Sequence, residues 1–132
     1  VPYNKHTHHL INKKNIKKIK KGAILINTAR GGLIETSALV MALDKKILGG
    51  AGLDVLEEEC EVKEDKEVMS KHFPKKCDFG IIMENHILAQ KDNVIITPHN
   101  AFNSIEALKR ILDTTIENIN SLKKGKVKNL VN

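Results

Sequence analysis

The stretch Ala23-Ile24-Leu25-Ile26-Asn27-Thr28-Ala29-Arg30-Gly31-Gly32 decides how this chain folds. A continuous apolar run this short, bounded by glycine on one side and polar residues on the other, predicts a strand buried on both faces of a parallel sheet. The strand ends where the chain turns polar and small. Thr28 to Gly32 therefore opens its carboxyl end, the edge at which open parallel sheets gather their ligands.

Upstream, Asn12 followed by Lys13–Lys20, with Ile16 and Ile19 on one face and Gly22 just beyond, predicts a short amphipathic helix with an N-cap and a glycine stop. Downstream, Glu35 or Thr36 caps a second helix through Leu39, Val40 and Leu43. Gly49-Gly50-Ala51-Gly52-Leu53-Asp54-Val55 then predicts a second strand, whose small residues let a helix or a ligand approach the backbone. Asn93-Val94-Ile95-Ile96-Thr97-Pro98 predicts a third, ended by a proline that cannot continue a ladder. Asn103 caps the longest helix, with Glu106 three residues on. Ile105, Leu108, Ile111, Leu112, Ile116, Ile119 and Leu122 recur along it at three- and four-residue spacing, so it packs along its length. The segment from Glu57 to Asp92 is too long to be a structureless loop and predicts helical turns of its own, at Val62–Phe73 and Ile81–Ala89. Helix and strand alternating over short connections imply an α/β fold, a doubly wound parallel sheet.

The composition admits a core and narrows the functional classes. Of the 132 residues, 41% are hydrophobic and 29% charged, as in ordinary globular proteins. Aromatics are only 3%, so the stacking platforms of single-strand nucleic-acid binders are largely missing. The 22 basic residues against 16 acidic ones give +6, much of it in Lys13, Lys14, Lys17, Lys18, Lys20 and Lys21 and in Lys123, Lys124, Lys126 and Lys128. Lysine dominates and arginine is scarce, which fits a solvated surface better than phosphate recognition. Cys60 and Cys77 have no CxxC partner, so neither a zinc site nor a disulfide framework is indicated. No apolar stretch approaches the roughly 20 residues that span a bilayer, and a soluble, cytoplasmic protein is expected. His6, His8 and His9 sit in one short loop without a partner acid at ligand spacing, so no metal is expected. His72 and His86 are read as surface or packing residues. The thiol of Cys60 stands beside Glu57, Glu58 and Glu59, which makes it a poor nucleophile.

Three polar clusters follow the three predicted strands: Thr28 to Arg30, Asp54 to Glu59, and His99 to Asn103. An arginine, an acid and a histidine converging at one sheet edge suit a small anionic substrate. Guanidinium binds carboxylate bidentately, and imidazole exchanges a proton near neutral pH. Position alone also allows Arg30 and His99 merely to satisfy backbone carbonyls at strand ends.

The motifs separate these readings. Ile24 to Gly32, Gly52-Leu53-Asp54-Val55 with Glu59 five residues after Asp54, and Thr97-Pro98-His99-Asn100-Ala101-Phe102 resemble, in order and separation, the D-specific 2-hydroxyacid dehydrogenase family. The long segment between Glu59 and His99, with His-Asn-Ala-Phe after it, looks most like the D-lactate dehydrogenase branch. The resemblance implies the C-terminal portion of a Rossmann-like sheet: residues 1–101 as the second half of an NAD-binding domain, and 102–132 as a long crossover helix and tail returning towards a substrate domain. It implies that Arg30 orients the substrate carboxylate and carbonyl, that His99 is the general acid/base and that Glu59 is its partner. It further implies that Val1, Pro2, Thr7, Thr28, Ala29, Arg30, Asp54, His99 and Ala101 line an NAD pocket, with Asp54 near the nicotinamide. The partners implied are a 2-oxo or 2-hydroxy acid, no nucleic acid and no membrane, in a parent expected to be a homodimer.

One departure stands against the match. No GxGxxG follows a strand, and the acid about 20 positions later that holds the adenine ribose is absent too. Gly49-Gly50-Ala51-Gly52 does not replace it, because it forms a strand instead of opening a helix. The expectation is a fragment that binds NAD weakly or not at all and does not turn over alone. The alternatives are a basic nucleic-acid-binding module, which predicts salt-dependent binding indifferent to Arg30 and His99, and a non-catalytic half-domain.

Overall fold

In the computed structural model, which describes residues 1–58 and 78–130, the chain divides into two units, Val1–His99 and Asn100–Asn132. The first unit is built on three parallel strands in the order β1 (Ala23–Asn27), β2 (Leu48–Leu53) and β3 (Val94–Ile96). Register sets Asn27 opposite Leu53 and Leu53 opposite Ile96. The chain thus leaves all three strands in one row, at Thr28, Asp54 and Thr97.

Among the described residues two helices cover the sheet, α1 (Thr36–Asp44) and α2 (Phe79–Ala89). Ala38, Leu39, Ala42 and Leu43 of α1 and Leu88 of α2 close one core with Leu25, Ala51 and Leu53. Helix α2 begins two residues before the expected Ile81, because the Asp78 carboxylate accepts from the Gly80 N–H at 2.8 Å and caps it there. Gly50 permits the close packing of β2 on its neighbour: a Cβ there would lie 2.8 Å from the Asn93 carbonyl oxygen.

The expected burial of β1 on both faces is not met. Leu25 and Asn27 point into the core, but Ile24 and Ile26 are 71% and 73% exposed, and Ile95 of β3 is 70% exposed. Both helices join the core on the Leu25 side, so alternate side chains of the apolar run face outward.

The expected helix over Lys13–Lys20 is also replaced, by a single 3-10 turn, Ile16–Lys18. Asparagine side chains compete with helical bonding here. Asn15 Oδ1 accepts from the Asn12 N–H and its Nδ2 donates to the Leu10 carbonyl, while Asn12 Oδ1 accepts from the Lys14 N–H. The turn buries Ile16 completely, and Ile19 is already extended.

The second unit holds α3 (Ile105–Lys123). Its cap is Ser104, not Asn103: the Ser104 side chain accepts from the Ala107 N–H, while the Asn103 N–H is turned back to the Asn100 carbonyl. The expected apolar stripe is present and exposed, with no buried residue in the helix. Gly125, in the left-handed region at φ +70°, ends the helix. The tail folds back on it through Lys128 with Glu117 and through Asn129 Nδ2 donating to Asn118 Oδ1. The helical turns expected over Val62–Phe73, together with Glu59, Cys60, His72 and Cys77, lie outside the described residues.

Candidate functional site

At the carboxyl edge of the sheet the backbone ladder runs one step past each strand. The Asp54 N–H donates to the Asn27 carbonyl, the Thr97 N–H to the Leu53 carbonyl and the His99 N–H to the Asp54 carbonyl, each at 2.9 Å. Asp54 is buried between its neighbours, with Thr97 Oγ1 donating to its Oδ1 at 2.5 Å. His99 is exposed and takes a left-handed backbone, φ +51°.

The Asn27 side chain shapes the turn that follows β1. Its Nδ2 donates to the Arg30 carbonyl and its Oδ1 accepts from the Ala29 N–H, so a buried amide fixes the loop that presents Thr28, Ala29 and Arg30. Thr28 and Arg30 face solvent, and Arg30 Nη1 donates to the Ala29 carbonyl at 2.7 Å.

Gly31, next along, is pressed against the turn after β2. A Cβ at Gly31 would fall 1.9 Å from the Leu56 carbonyl oxygen, so no other residue fits without moving backbone.

The loop carrying Val1, Pro2 and Thr7 lies beside the same turn. Thr7 closes it, with its hydroxyl donating to the Pro2 carbonyl and accepting from the Asn4 N–H, both at 2.8 Å. The loop is stitched on by the His9 N–H to the Gly32 carbonyl and by the Ile11 N–H to the Leu33 carbonyl.

His9 meets an acid that lies far from it in sequence. Its Nε2 meets Glu57 Oε1 at 2.5 Å, and its ring stacks on His8 at 3.8 Å. The other oxygen of Glu57, a residue only 8% exposed, accepts from the N–H and the hydroxyl of Thr36, the first residue of α1, at 3.0 and 2.7 Å. The acid from the turn after β2 thus caps α1, a task that the flanking Glu35 side chain does not perform.

Glu35 is engaged elsewhere. Partial burial pushes its carboxyl up, but the Lys13 N–H, the Ser37 hydroxyl and the Lys13 ammonium together bring it below its ordinary 4.5. On α2, burial holds the Glu84 carboxyl above the ordinary value; Lys13 opposes this, and the carboxylates of Glu57, Glu35 and Asp78 add to it.

The structure therefore gathers Asp54 and His99 with the Thr28–Arg30 turn on one edge of the first unit and sets the Val1–Thr7 loop against that turn. Ala101 belongs to the second unit. Asn27, Glu57 and Thr97 organise the edge but were not singled out in the sequence. For Asn27 a local signal existed, since asparagine at a strand end favours turns that use its side chain. Among the described residues no group of three or more His, Cys, Asp and Glu could hold a metal ion, and no helix is long and apolar enough to cross a membrane.

Known proteins are similar to this chain in sequence and in fold. Glyoxylate reductase of Thermofilum pendens is 38% identical over 127 residues, 96% of this chain and 31% of its own. The D-specific alpha-keto acid dehydrogenase of Enterococcus faecium is 42% identical over 118 residues, 89% of this chain and 34% of its own. Among solved structures, D-lactate dehydrogenase with NAD+ from Lactobacillus jensenii matches with a TM-score of 0.75 at 33% identity, over 100% of this chain and 37% of its own. D-lactate dehydrogenase of Aquifex aeolicus, complexed with NAD and lactic acid, matches with a TM-score of 0.72 at 40% identity, over 95% of this chain and 36% of its own. The chain thus spans about a third of the length of these relatives. With the parallel sheet placing its polar residues at one edge, and with residues 1–101 matching the family model described as "D-isomer specific 2-hydroxyacid dehydrogenase, NAD binding domain", the chain belongs to that NAD-binding, Rossmann-like family of oxidoreductases.

Proposed function

We propose that this chain carries the catalytic edge of a D-lactate dehydrogenase-like enzyme that reduces a 2-oxo acid such as pyruvate to the D-2-hydroxy acid. One observation carries the reading: Asn27, Asp54 and His99 are tied across three strand ends, so a guanidinium, a buried carboxylate and an imidazole belong to one edge. The donor set suits the nicotinamide end of NAD, with exposed Thr28 and buried Asp54 as polar groups and Val1, Pro2 and Ala29 as apolar ones. No glycine-rich phosphate loop occurs in these 132 residues.

Bound NAD supplies or accepts hydride at C4 of its nicotinamide. Arg30 grips the substrate carboxylate through paired N–H donors and stabilises charge developing on the carbonyl oxygen. His99 delivers a proton to that oxygen on reduction and removes it on oxidation. Glu59, outside the described residues, is assigned as the carboxylate partner of the imidazole. Val1, Pro2, Thr7, Thr28, Ala29 and Asp54 line the cofactor pocket in the same reading, and the parent works as a cytoplasmic homodimer.

The first measurement is the intact mass of the natively expressed protein against the 14.7 kDa of this chain, followed by pyruvate-dependent NADH oxidation. Losing a general acid/base typically removes about 10²–10⁴ in rate, the drop expected for His99→Gln. Losing one positioned charge-stabilising donor removes about 10²–10³, the drop expected for Arg30→Gln. Full turnover by either variant overturns the assignment.

A further inference from the structure

We infer that Thr97 is a positioning residue, whose hydroxyl holds the Asp54 carboxylate and the His99 backbone in fixed relation. For its catalytic consequence this inference rests on the function proposed above.

Three atoms of Thr97 are engaged at once. Its N–H extends the β2–β3 ladder to the Leu53 carbonyl, its carbonyl accepts from the His99 N–H, and its hydroxyl donates to Asp54 Oδ1. The bond from the His99 N–H back to Thr97 closes a three-residue turn with Pro98 at its centre. Proline's ring holds φ near −65°, close to the value that the common form of this turn requires. The His99 N–H is shared between the carbonyls of Thr97 and Asp54, both at 2.9 Å. The left-handed backbone of His99 is thereby set by the two residues that the Thr97 hydroxyl joins.

A β-branched side chain strengthens the device, because χ1 of threonine is restricted and its hydroxyl stays aimed. Asp54 is 5% exposed, so a donor lost there is poorly replaced by water.

Thr97→Val keeps the shape and removes the hydroxyl, and Thr97→Ser keeps the hydroxyl and removes the methyl. Two readouts decide the matter in the full expressed protein. The first is hydrogen exchange of the His99 amide without cofactor, which needs no assumption about activity. Exchange at least tenfold faster in Thr97→Val, with Thr97→Ser within threefold of wild type, is the expected result. The second is steady-state kinetics with pyruvate and NADH, in which Thr97→Val loses ten- to a hundredfold in kcat, with a smaller change in the KM for pyruvate, and Thr97→Ser recovers most of it. Equal exchange in all three proteins overturns the inference. So does equal damage from both variants, which would make methyl packing the cause. If wild type fails to reduce any 2-oxo acid, the proposed function falls while the amide exchange still decides whether Thr97 holds His99.

Discussion

Replacing Glu57 by alanine should destabilise the first unit far more than any surface ion pair would. The side chain caps α1 from outside the helix through Thr36 N–H and hydroxyl, and its other oxygen meets His9. Loss of a helix cap alone costs about 1 kcal/mol. Hydrogen bonds to a charged group contribute about 1.5–3 kcal/mol, and a buried donor left without a partner costs about 1–3 kcal/mol. These terms overlap and do not add, so about 3 kcal/mol is expected in total, against about 0–1 kcal/mol for an exposed pair. Lys91→Ala, which breaks the surface pair with Asp44, is the matched control. Glu57→Gln keeps an acceptor for Thr36 and gives up the charge, so it should fall between the two, near 1 kcal/mol. Urea denaturation at constant m reads all three. For a unit of this size about 3 kcal/mol should also lower Tm by more than about 10 °C. If Glu57→Ala melts with Lys91→Ala, or if the glutamine variant is as damaged as the alanine, the cap is not what Glu57 supplies.

Two further perturbations test the packing behind the edge and its electrostatics. Gly31→Ala drives a methyl into the Leu56 carbonyl and should cost more than about 2 kcal/mol while impairing the Arg30 turn, read by denaturation and by pyruvate KM together. Glu84 has its carboxyl raised by burial, so the fold favours its neutral form; that stability is present below the ordinary carboxylate value and lost as pH rises through the raised one. Glu84→Gln should therefore match wild type in acid and exceed it, by less than about 1 kcal/mol, at neutral pH. A stability difference that does not change with pH would contradict this.

What could be read from the sequence was what neighbouring residues determine. The run at Ile24–Ile26, the small residues of β2, Val94–Ile96 and the stripe along α3 each declare themselves through local pattern. The polar clusters at the strand ends followed from where those strands stop. The misses have local and non-local causes. Asn12 and Asn15 diverted a helical pattern into one 3-10 turn by bonding the backbone from their side chains. The outward face of β1 could not be told from a buried one, because isoleucine reads alike in both settings.

The organisers of the edge escaped for a different reason, since each works across the fold. Glu57 reaches His9 and Thr36, and Thr97 reaches Asp54, through pairings made only once the parallel strands are in register. The backbone records the same organisation. His9, Glu58 and His99 all adopt positive φ without being glycine, at 49°, 51° and 51°. Such conformations persist where the surroundings over-determine them, and they cluster at functional sites. Here the surroundings are identifiable: His9 is pinned by Gly32 and Glu57, and His99 by Asp54 and Thr97, while Glu58 Oε2 accepts from the Asp78 N–H at the cap of α2. The residues on which an acid/base edge would depend are thus held by contacts from elements distant in sequence. Substitutions at Glu57 or Thr97 should therefore disturb His9 and His99 before they disturb the sheet.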